Sequence, residues 1–331
     1  MKLPHHIAGV SLGLALAACS GAQNGATPMI PNGAGAQHLA SAHKASTPLI
    51  IVANVNIGLG GSIREYAESA NGNVAATTVI SHINGPYAVA FSSTEGIGIA
   101  NGNVASGGQA AIQTFGLAGD LLTGISCFPK PSQTNAVAFD STGRLFVTAA
   151  LPEGRRTVDV FAPGANGCAT PERTIADYGG LAIDSNNVLY VATRTRPTID
   201  IFPSGSSMME AQIGGSKTGL QAPNTVAVDA SRNVYVFDTA TATISEFAAG
   251  ATGNVAPIRT IAGSNTGLSG GNGFSFGLAV SKASGKIFVS NPGTNAILGF
   301  AATASGNVAP IQTIAGGATG LGDPLGLALA E

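Results

Sequence analysis

Apolar and polar residues alternate in the same two-strand pattern along five stretches of this chain. In each stretch a short alternating run is followed by a polar turn and by a second alternating run. The stretches are 88–101, 136–148, 180–193, 225–238 and 277–291. Alternation of this kind is typical of half-buried β-strands joined by a tight turn. The pattern therefore predicts a series of β-hairpins.

Two further strands follow each hairpin at a regular spacing. The third strand ends in an aromatic residue and the fourth carries an isoleucine, with a Gly/Asn turn (GNVA or NGCA) between them. The offset from aromatic residue to isoleucine is the same in four pairs: Tyr66 and Ile80, Phe161 and Ile175, Phe247 and Ile261, and Phe300 and Ile314. Four-stranded units of about 40–50 residues are the blades of β-propellers.

The two ends of the repeat region complement each other. Residues 48–56 match a second strand without a first, and the C-terminal PLGLALAE matches a first strand without a second. If these two segments pair, they complete one blade and leave no open sheet edge. We therefore expect an all-β fold, a six-bladed β-propeller of four-stranded antiparallel blades whose ring is closed by the N- and C-terminal strands.

The hairpin consensus resembles that of NHL repeats. It reads G-[LIV]-A-[VIL]-D, then four variable residues, then [LVI]-[YF]-V, with an aromatic residue ending the third strand. The resemblance covers residues 48–331 and implies the propeller fold. It does not select a function, because NHL propellers serve many tasks.

The N-terminus has the features of a lipoprotein signal peptide in residues 1–18. Lys2 precedes an apolar run, Ile7 to Ala18, that is too short to span a bilayer as a mature helix. The run ends in Leu-Ala-Ala-Cys, which resembles the bacterial lipobox. That resemblance implies that Cys19 becomes the lipidated first residue of an exported protein. Because Ser20 and not Asp follows the cysteine, the resemblance also favours the outer membrane.

A flexible tether is expected between the lipid anchor and the propeller. Residues 19–47 are rich in Gly, Ala, Ser and Asn and show almost no aliphatic periodicity. Such a segment behaves as a random coil, with an r.m.s. reach of about 30 Å. The sequence thus predicts three parts: a signal peptide, a lipidated tether, and an NHL-like propeller over 48–331.

Composition excludes several functions. The net charge is −2 and charged residues make up 10% of the chain, so nothing indicates a nucleic-acid partner. His82 is the only histidine after the tether, which disfavours zinc hydrolysis and Ser-His-Asp chemistry. We therefore predict a monomeric, non-enzymatic binding module without a cofactor. Its partners would be the membrane, through the lipid, and a protein, peptide or glycan.

Basic residues concentrate in two neighbouring loops that join the second and third strands of blades 3 and 4. They are Arg155, Arg156, Arg194 and Arg196. These loops and the entrance of each innermost strand are expected on one face of the ring, here called the top face. Guanidinium groups bind carboxylates and phosphates well. The cluster therefore predicts a ligand-binding site for anions, although solvated turn charge is the alternative interpretation.

A loose resemblance to the regucalcin/gluconolactonase family gives a second hypothesis, a metal-dependent lactonase-like hydrolase. These six-bladed enzymes hold a divalent cation at the top of the channel with Glu, Asn and Asp ligands, and the Glu often precedes Gly-Pro. Here the corresponding run is Asn84-Gly85-Pro86, so the Glu is missing. The resemblance implies Asn135, Asp177 and Asn224 as ligands of Ca or Mg. Alternatively, these groups cap strand ends and bind water.

Two cysteines remain once Cys19 is lipidated. Cys127 falls on the fourth strand of blade 2, and Cys168 falls in a turn of blade 3. An exported location permits a disulfide. Neighbouring blades bring the two residues near each other, but the repeat alignment places them at different heights, so a Cys127–Cys168 bridge and two free thiols both remain open.

Overall fold

The computed structural model describes residues 45, 47–55, 61–102, 111–126, 133–151, 154–193, 195–270 and 276–331. In this part of the chain, strands form six four-stranded antiparallel sheets. The predicted six-bladed, all-β propeller is therefore confirmed. None of the helical segments among these residues is long and apolar enough to cross a bilayer.

Each blade has its innermost strand beside the central channel. Blades 1 to 3, from the inside outward, are β24 (Pro324–Ala330), β1 (Leu49–Asn54), β2 (Gly61–Ala67), β3 (Thr78–Ile83); β4 (Pro86–Ser92), β5 (Gly96–Asn101), β6 (Ala111–Phe115), β7 (Leu121–Ile125); and β8 (Gln133–Phe139), β9 (Leu145–Ala150), β10 (Arg156–Phe161), β11 (Arg173–Ile175). Blades 4 to 6 are β12 (Gly180–Ile183), β13 (Leu189–Thr193), β14 (Thr198–Phe202), β15 (Ala211–Gly214); β16 (Pro223–Val228), β17 (Val234–Asp238), β18 (Thr243–Phe247), β19 (Arg259–Ile261); and β20 (Leu278–Val280), β21 (Ile287–Asn291), β22 (Ala296–Phe300), β23 (Gln312–Ile314).

The C-terminal strand closes the ring, as the two chain ends predicted. β24 pairs antiparallel with β1, so that Leu49 faces Ala330 and Val52 faces Leu327. Leu327 belongs to the apolar cluster between blades 6 and 1. Ala328 and Ala330 belong to the cluster between blades 1 and 2. Because side chains alternate along a strand, β24 joins three consecutive blades.

The Asp of the hairpin consensus stabilises its own turn. The Asp140 Oδ1 atom accepts the N–H groups of Thr142 at 2.8 Å and Arg144 at 2.9 Å. Asp184 makes both corresponding contacts in blade 4, and in blade 5 the Asp229 Oδ1 atom accepts the Asn233 N–H, four residues ahead. An Asp side chain that accepts backbone N–H groups two and four residues ahead fixes the turn locally. This consensus residue is therefore structural.

The Gly/Asn turns between the third and fourth strands link neighbouring blades. Each glycine makes an isolated parallel bridge to the outermost strand of the preceding blade: Gly72 to Ile314, Gly167 to Ile125, Gly253 to Ile213 and Gly306 to Ile261. All four glycines have positive φ, which glycine adopts at no steric cost. These turns cover sheet edges that would otherwise be open to pairing.

The channel is narrow at the top because neighbouring inner strands approach closely there. A Cβ atom on Gly180 would lie 2.5 Å from the Asn224 carbonyl oxygen, and one on Gly326 would lie 2.6 Å from the Ala88 Cα atom. Below these glycines the inner strands line a cavity of about 290 Å³. A ligand on the top face would therefore rest on the mouth and its loops.

Candidate functional site

Half of the top face is built from one repeated connection. The segments that enter blades 5, 6 and 1 share the sequence G-x-x-T-G-L, at 215–220, 263–268 and 316–321. In each, the buried threonine hydroxyl donates to the carbonyl oxygen of the first glycine, at 2.7, 2.7 and 2.6 Å. We call these three blades the regular half of the top face.

A polar residue at the end of each second strand fixes these connections further. The Asp238 Oδ2 atom accepts the Gln221 N–H at 2.6 Å. Asn291 and Asn54 accept equivalent N–H groups, from Ser269 at 3.1 Å and from Gly322 at 2.7 Å. The regular half thus uses its polar side chains to hold its own backbone.

The segments that enter blades 2 to 4 lack the G-x-x-T-G-L sequence. The connection from blade 3 to blade 4 is short, because β11 ends at Ile175 and β12 begins at Gly180. Asp177 and Tyr178 therefore stand at the channel mouth where the regular half has its T-G-L turn. We call blades 2 to 4 the irregular half.

Two buried carboxylates hold one exposed guanidinium in the irregular half. Arg196 Nη2 donates to Asp200 Oδ2 at 2.8 Å and to Asp177 Oδ1 at 3.3 Å. Asp177 and Asp200 are 7% and 1% exposed, whereas the Arg196 side chain is 62% exposed. The Tyr178 N–H also donates to Asp177 at 2.8 Å, and the Thr198 hydroxyl donates to Asp200 at 2.7 Å.

This arrangement raises the pKa of the Asp177 carboxyl above its ordinary value. Burial raises its pKa to about 6, and the neighbouring Asp200 carboxylate adds to the increase. The Tyr178 N–H and the Arg196 guanidinium oppose it by favouring the ionised form. Desolvation outweighs these contacts because it disfavours the charged state of a buried carboxyl.

Tyr178 links these groups to blade 3. The side-chain amide of Asn135 donates to the Tyr178 hydroxyl. The guanidinium carbon of Arg156 lies 5.2 Å from the centre of the Tyr178 ring, which is within cation–π range. Together the six residues Asn135, Arg156, Asp177, Tyr178, Arg196 and Asp200 form the unit that we call the blade 3–4 cluster.

The structure thus brings together four of the residues that the sequence had singled out. Asn135, Asp177, Arg156 and Arg196 belong to one cluster, although the sequence placed them in two separate hypotheses. Arg155 is exposed beside them. Burial raises the pKa of Asp159, and the positive charge of Arg155 partly lowers it again. Arg194, Cys19 and Cys127 lie outside the described residues.

Sequence reasoning missed Asp200 and Tyr178. Asp200 interrupts the apolar run of β14, TIDIF, and a charged residue inside a buried strand is a signal that points to a paired carboxylate. Tyr178 carried no such signal. Its role depends on Asn135 and Arg156, which come from another blade.

The metal ligands that the resemblance implied are already engaged with protein groups. Asn224 Oδ1 accepts the Phe276 N–H at 2.9 Å. Asp177 accepts a hydrogen bond from Arg196. The Arg196 guanidinium lies between the carboxylates of Asp177 and Asp200, in the position that a metal cation would take. Within the described part of the chain, no three His, Cys, Asp or Glu side chains are grouped to hold a metal. This donor set does not fit Ca or Mg.

Cys168 forms a disulfide. Its neighbour Gly167 accepts the Ser126 N–H at 3.0 Å, and the Gly167 N–H donates to the Gly124 carbonyl oxygen at 2.7 Å. Residues 126 and 167 therefore lie side by side, because the blade 3 turn reaches along β7. Since Cys127 lies outside the described residues, the Cys127–Cys168 pairing stays a prediction.

The raised pKa of Asp177 gives a testable pH dependence. The folded state binds this proton up to about pH 6, whereas an unfolded Asp loses it near pH 3.9. The ionised group therefore destabilises the fold above pH 6, and this cost disappears as the pH falls towards 4. Asp177→Asn mimics the neutral acid, so it should stabilise the protein at pH 7.5 by on the order of 1–3 kcal/mol.

Urea unfolding of wild type and Asp177→Asn at pH 7.5 and pH 4.5 measures this effect. The stability gain of the variant should shrink at the lower pH. An equal stability gain at pH 7.5 and pH 4.5 would show that the Asp177 carboxyl titrates like an ordinary Asp.

Fold and site together define a six-bladed β-propeller with one asymmetric polar cluster at the mouth of its channel. No family model and no curated protein matches the chain, so the NHL repeat stays a resemblance. Solved structures match over most of it. A Bacteroides caccae protein of unknown function has a TM-score of 0.61 and 10% identity, and covers 86% of this chain and 100% of its own.

Two other similar structures are of proteins with known names. A chain from a nidogen/laminin complex matches with a TM-score of 0.61 and 13% identity, covering 86% of this chain and 98% of its own. The periplasmic gluconolactonase of Pseudomonas aeruginosa matches with a TM-score of 0.55 and 11% identity, covering 86% and 99%. At these identities the similarity shows the fold alone.

Proposed function

We propose that this chain is an exported lipoprotein, anchored through Cys19, whose propeller binds an anionic partner on the irregular half of the top face without catalysing a reaction. The asymmetry of the top face carries this proposal. In the regular half, polar side chains accept hydrogen bonds from the backbone of the same half. The irregular half presents Arg155, Arg156 and Arg196 to solvent.

The chemistry of the cluster favours a carboxylate- or sulfate-bearing ligand. Arg156 and Arg155 are adjacent and exposed, and Tyr178 fixes the orientation of Arg156 from below. A guanidinium that is already oriented loses less entropy when it binds an oxyanion.

A metal-dependent lactonase-like hydrolase is the second candidate. The fold shared with the Pseudomonas aeruginosa gluconolactonase favours it, and the engaged oxygens of Asp177 and Asn224 count against it. Hydrolysis of glucono-δ-lactone that depends on added Ca or Mg and is lost in Asn224→Ala would replace the binding proposal with this one.

Removal of the basic patch should weaken anion binding and its dependence on salt. We expect a variant with four Arg→Ala substitutions to bind immobilised dextran sulfate about tenfold to a hundredfold more weakly than wild type. The substituted residues are Arg155, Arg156, Arg194 and Arg196. This range follows because exposed charge pairs contribute roughly 0–1 kcal/mol each. Binding of the wild type should weaken between 50 and 300 mM NaCl, since salt screens such pairs.

A charge-matched pair of variants makes the test specific. Arg155→Ala with Arg156→Ala removes two charges from the patch, and Lys217→Ala with Lys282→Ala removes two exposed charges elsewhere. Equal loss of binding in both double variants would show that dextran sulfate binding depends on the net charge of the protein and not on a specific site.

A further inference from the structure

In four of the six blades, main chain from the next blade covers the outer edge of the fourth strand. In blade 5 the Gly306 N–H donates to the Thr260 carbonyl oxygen at 2.7 Å, and the Ala262 N–H donates to the Gly306 carbonyl oxygen at 3.1 Å. The same pair of hydrogen bonds joins β23, β7 and β15 to Gly72, Gly167 and Gly253, respectively. One residue of main chain is therefore enough to pair the free groups of such an edge.

The edges of β3 in blade 1 and β11 in blade 3 face turns that are too short to make this contact. In the blades that follow them, the aromatic residue and the isoleucine are only 10 and 11 residues apart, against 14 in the other four blades. The two short pairs are Phe115 with Ile125 in blade 2, and Phe202 with Ile213 in blade 4. The blade 2 turn closes on itself instead, because the Gly116 N–H donates to the Asp120 carbonyl oxygen at 2.9 Å.

The register of β3 shows which of its groups are free. β3 pairs with β2 through Ile80 and Ile63, as β19 pairs with β18 through the corresponding isoleucines. The residues on either side of Ile80 therefore direct two groups away from β2, the Val79 carbonyl oxygen and the Ser81 N–H. Within the part of the chain that the structure describes, the blade 2 turn makes no main-chain hydrogen bond to either group.

Composition distinguishes the two uncovered edges. β11 has only three residues, and the charged residues Glu172 and Arg173 lie at its start. Short edges and charged side chains discourage pairing with other chains. β3 has six residues, none of them Asp, Glu, Lys or Arg, and the Val79 side chain is 43% exposed. β3 is thus an open edge without these protections.

We propose that the free edge of β3 binds an extended, uncharged peptide segment of a partner protein. One residue of that segment donates its N–H to the Val79 carbonyl oxygen and accepts the Ser81 N–H, as the turn glycines do in the covered blades. Addition of an extended segment to an open sheet edge is a recurring mode of peptide recognition. The site lies on the outer wall of blade 1, so it is distinct from the anion site and the inference does not depend on that proposal.

The covered edges also indicate the chemistry of the segment. All four bridges are parallel, and all four bridging residues are glycines with positive φ, a conformation that glycine adopts without steric cost. The matching ligand is therefore a glycine-containing segment that runs parallel to β3. A second copy of this chain does not fit this description, because a twofold axis would bring its own β3 alongside in the antiparallel direction.

The turn that covers β19 supplies a probe. A fluorescein-labelled peptide of residues 303–311, TASGNVAPI, is titrated with the purified full-length chain and followed by fluorescence anisotropy. The chains compared are wild type, Ser81→Pro and Ser81→Ala. Proline at residue 81 removes the outward N–H and leaves the hydrogen bonds to β2 in place, whereas alanine keeps the N–H and removes only the hydroxyl. A second peptide carries N-methylglycine in place of its glycine, so it lacks the N–H that would reach Val79.

Wild type and Ser81→Ala should bind the peptide with affinities within about twofold of each other, and Ser81→Pro should bind it about tenfold more weakly, since one main-chain hydrogen bond is lost. The N-methylglycine peptide should lose a similar factor with wild type, which keeps the test decisive if Ser81→Pro does not fold. Equal binding of both peptides, or no binding to wild type up to about 1 mM, overturns the inference. A concentration-dependent dimer of wild type, seen by analytical ultracentrifugation and abolished by Ser81→Pro, also overturns it, because β3 would then pair with a second copy.

Discussion

Deletion of residues 325–331 should abolish the cooperative unfolding of the propeller or lower its Tm by at least about 10 °C. The deletion removes Leu325 and Leu327, which are 2% and 6% exposed, together with the strand that pairs with β1. Loss of each buried leucine costs about 2–5 kcal/mol. In a domain of this size 1 kcal/mol corresponds to about 2–4 °C in Tm.

Thermal unfolding followed by circular dichroism measures this effect. Deletion of Glu331 alone is the control, because it removes only the side-chain contacts to Ser281 and the Lys282 N–H. A peptide covering 321–331, added to the truncated protein, should restore part of the lost stability by refilling the open edge. An unchanged transition in the truncated protein would mean that the ring does not depend on this closure.

Cys19→Ser should move the protein from the membrane fraction to the soluble fraction. The lipobox resemblance implies that several acyl chains attach at Cys19, and each buried CH2 contributes about 0.8 kcal/mol to membrane binding. Loss of the thiol removes the acceptor of the first lipid, so membrane association should fall almost completely. Fractionation with detection of the chain, and the mass of the mature N-terminus, measure both steps.

Ser20→Ala is the control for this experiment, because it changes the adjacent residue and leaves the acceptor thiol in place. It should stay in the membrane fraction. A wild-type chain that carries no lipid mass at residue 19, or a Cys19→Ser variant that remains with the membrane, would contradict the anchor.

The alternation of the hairpins and the constant spacing from aromatic residue to isoleucine determined the fold. Each blade is a local unit in which strands follow one another along the chain, so the turn residues and the two-residue period specify it almost completely. Tyr66, Phe161, Phe247 and Phe300 are all buried, as that spacing required. Even the long-range pairing of β24 with β1 was predictable, because each end lacks the strand that the other supplies.

Tertiary structure alone decided the candidate site. Asn135 lies in β8 and Arg156 begins β10, whereas Asp177 and Arg196 lie in two separate connections. No spacing along the chain encodes that Tyr178 lies between them. The pairing of Arg196 with Asp177 and Asp200 depends on the short blade 3 to blade 4 connection, which carries an Asp into a position otherwise taken by a T-G-L turn. Side-chain contacts between blades are set by how repeats pack around the ring. The sequence therefore determined the repeat, and the packing of unlike repeats determined where its chemistry gathers.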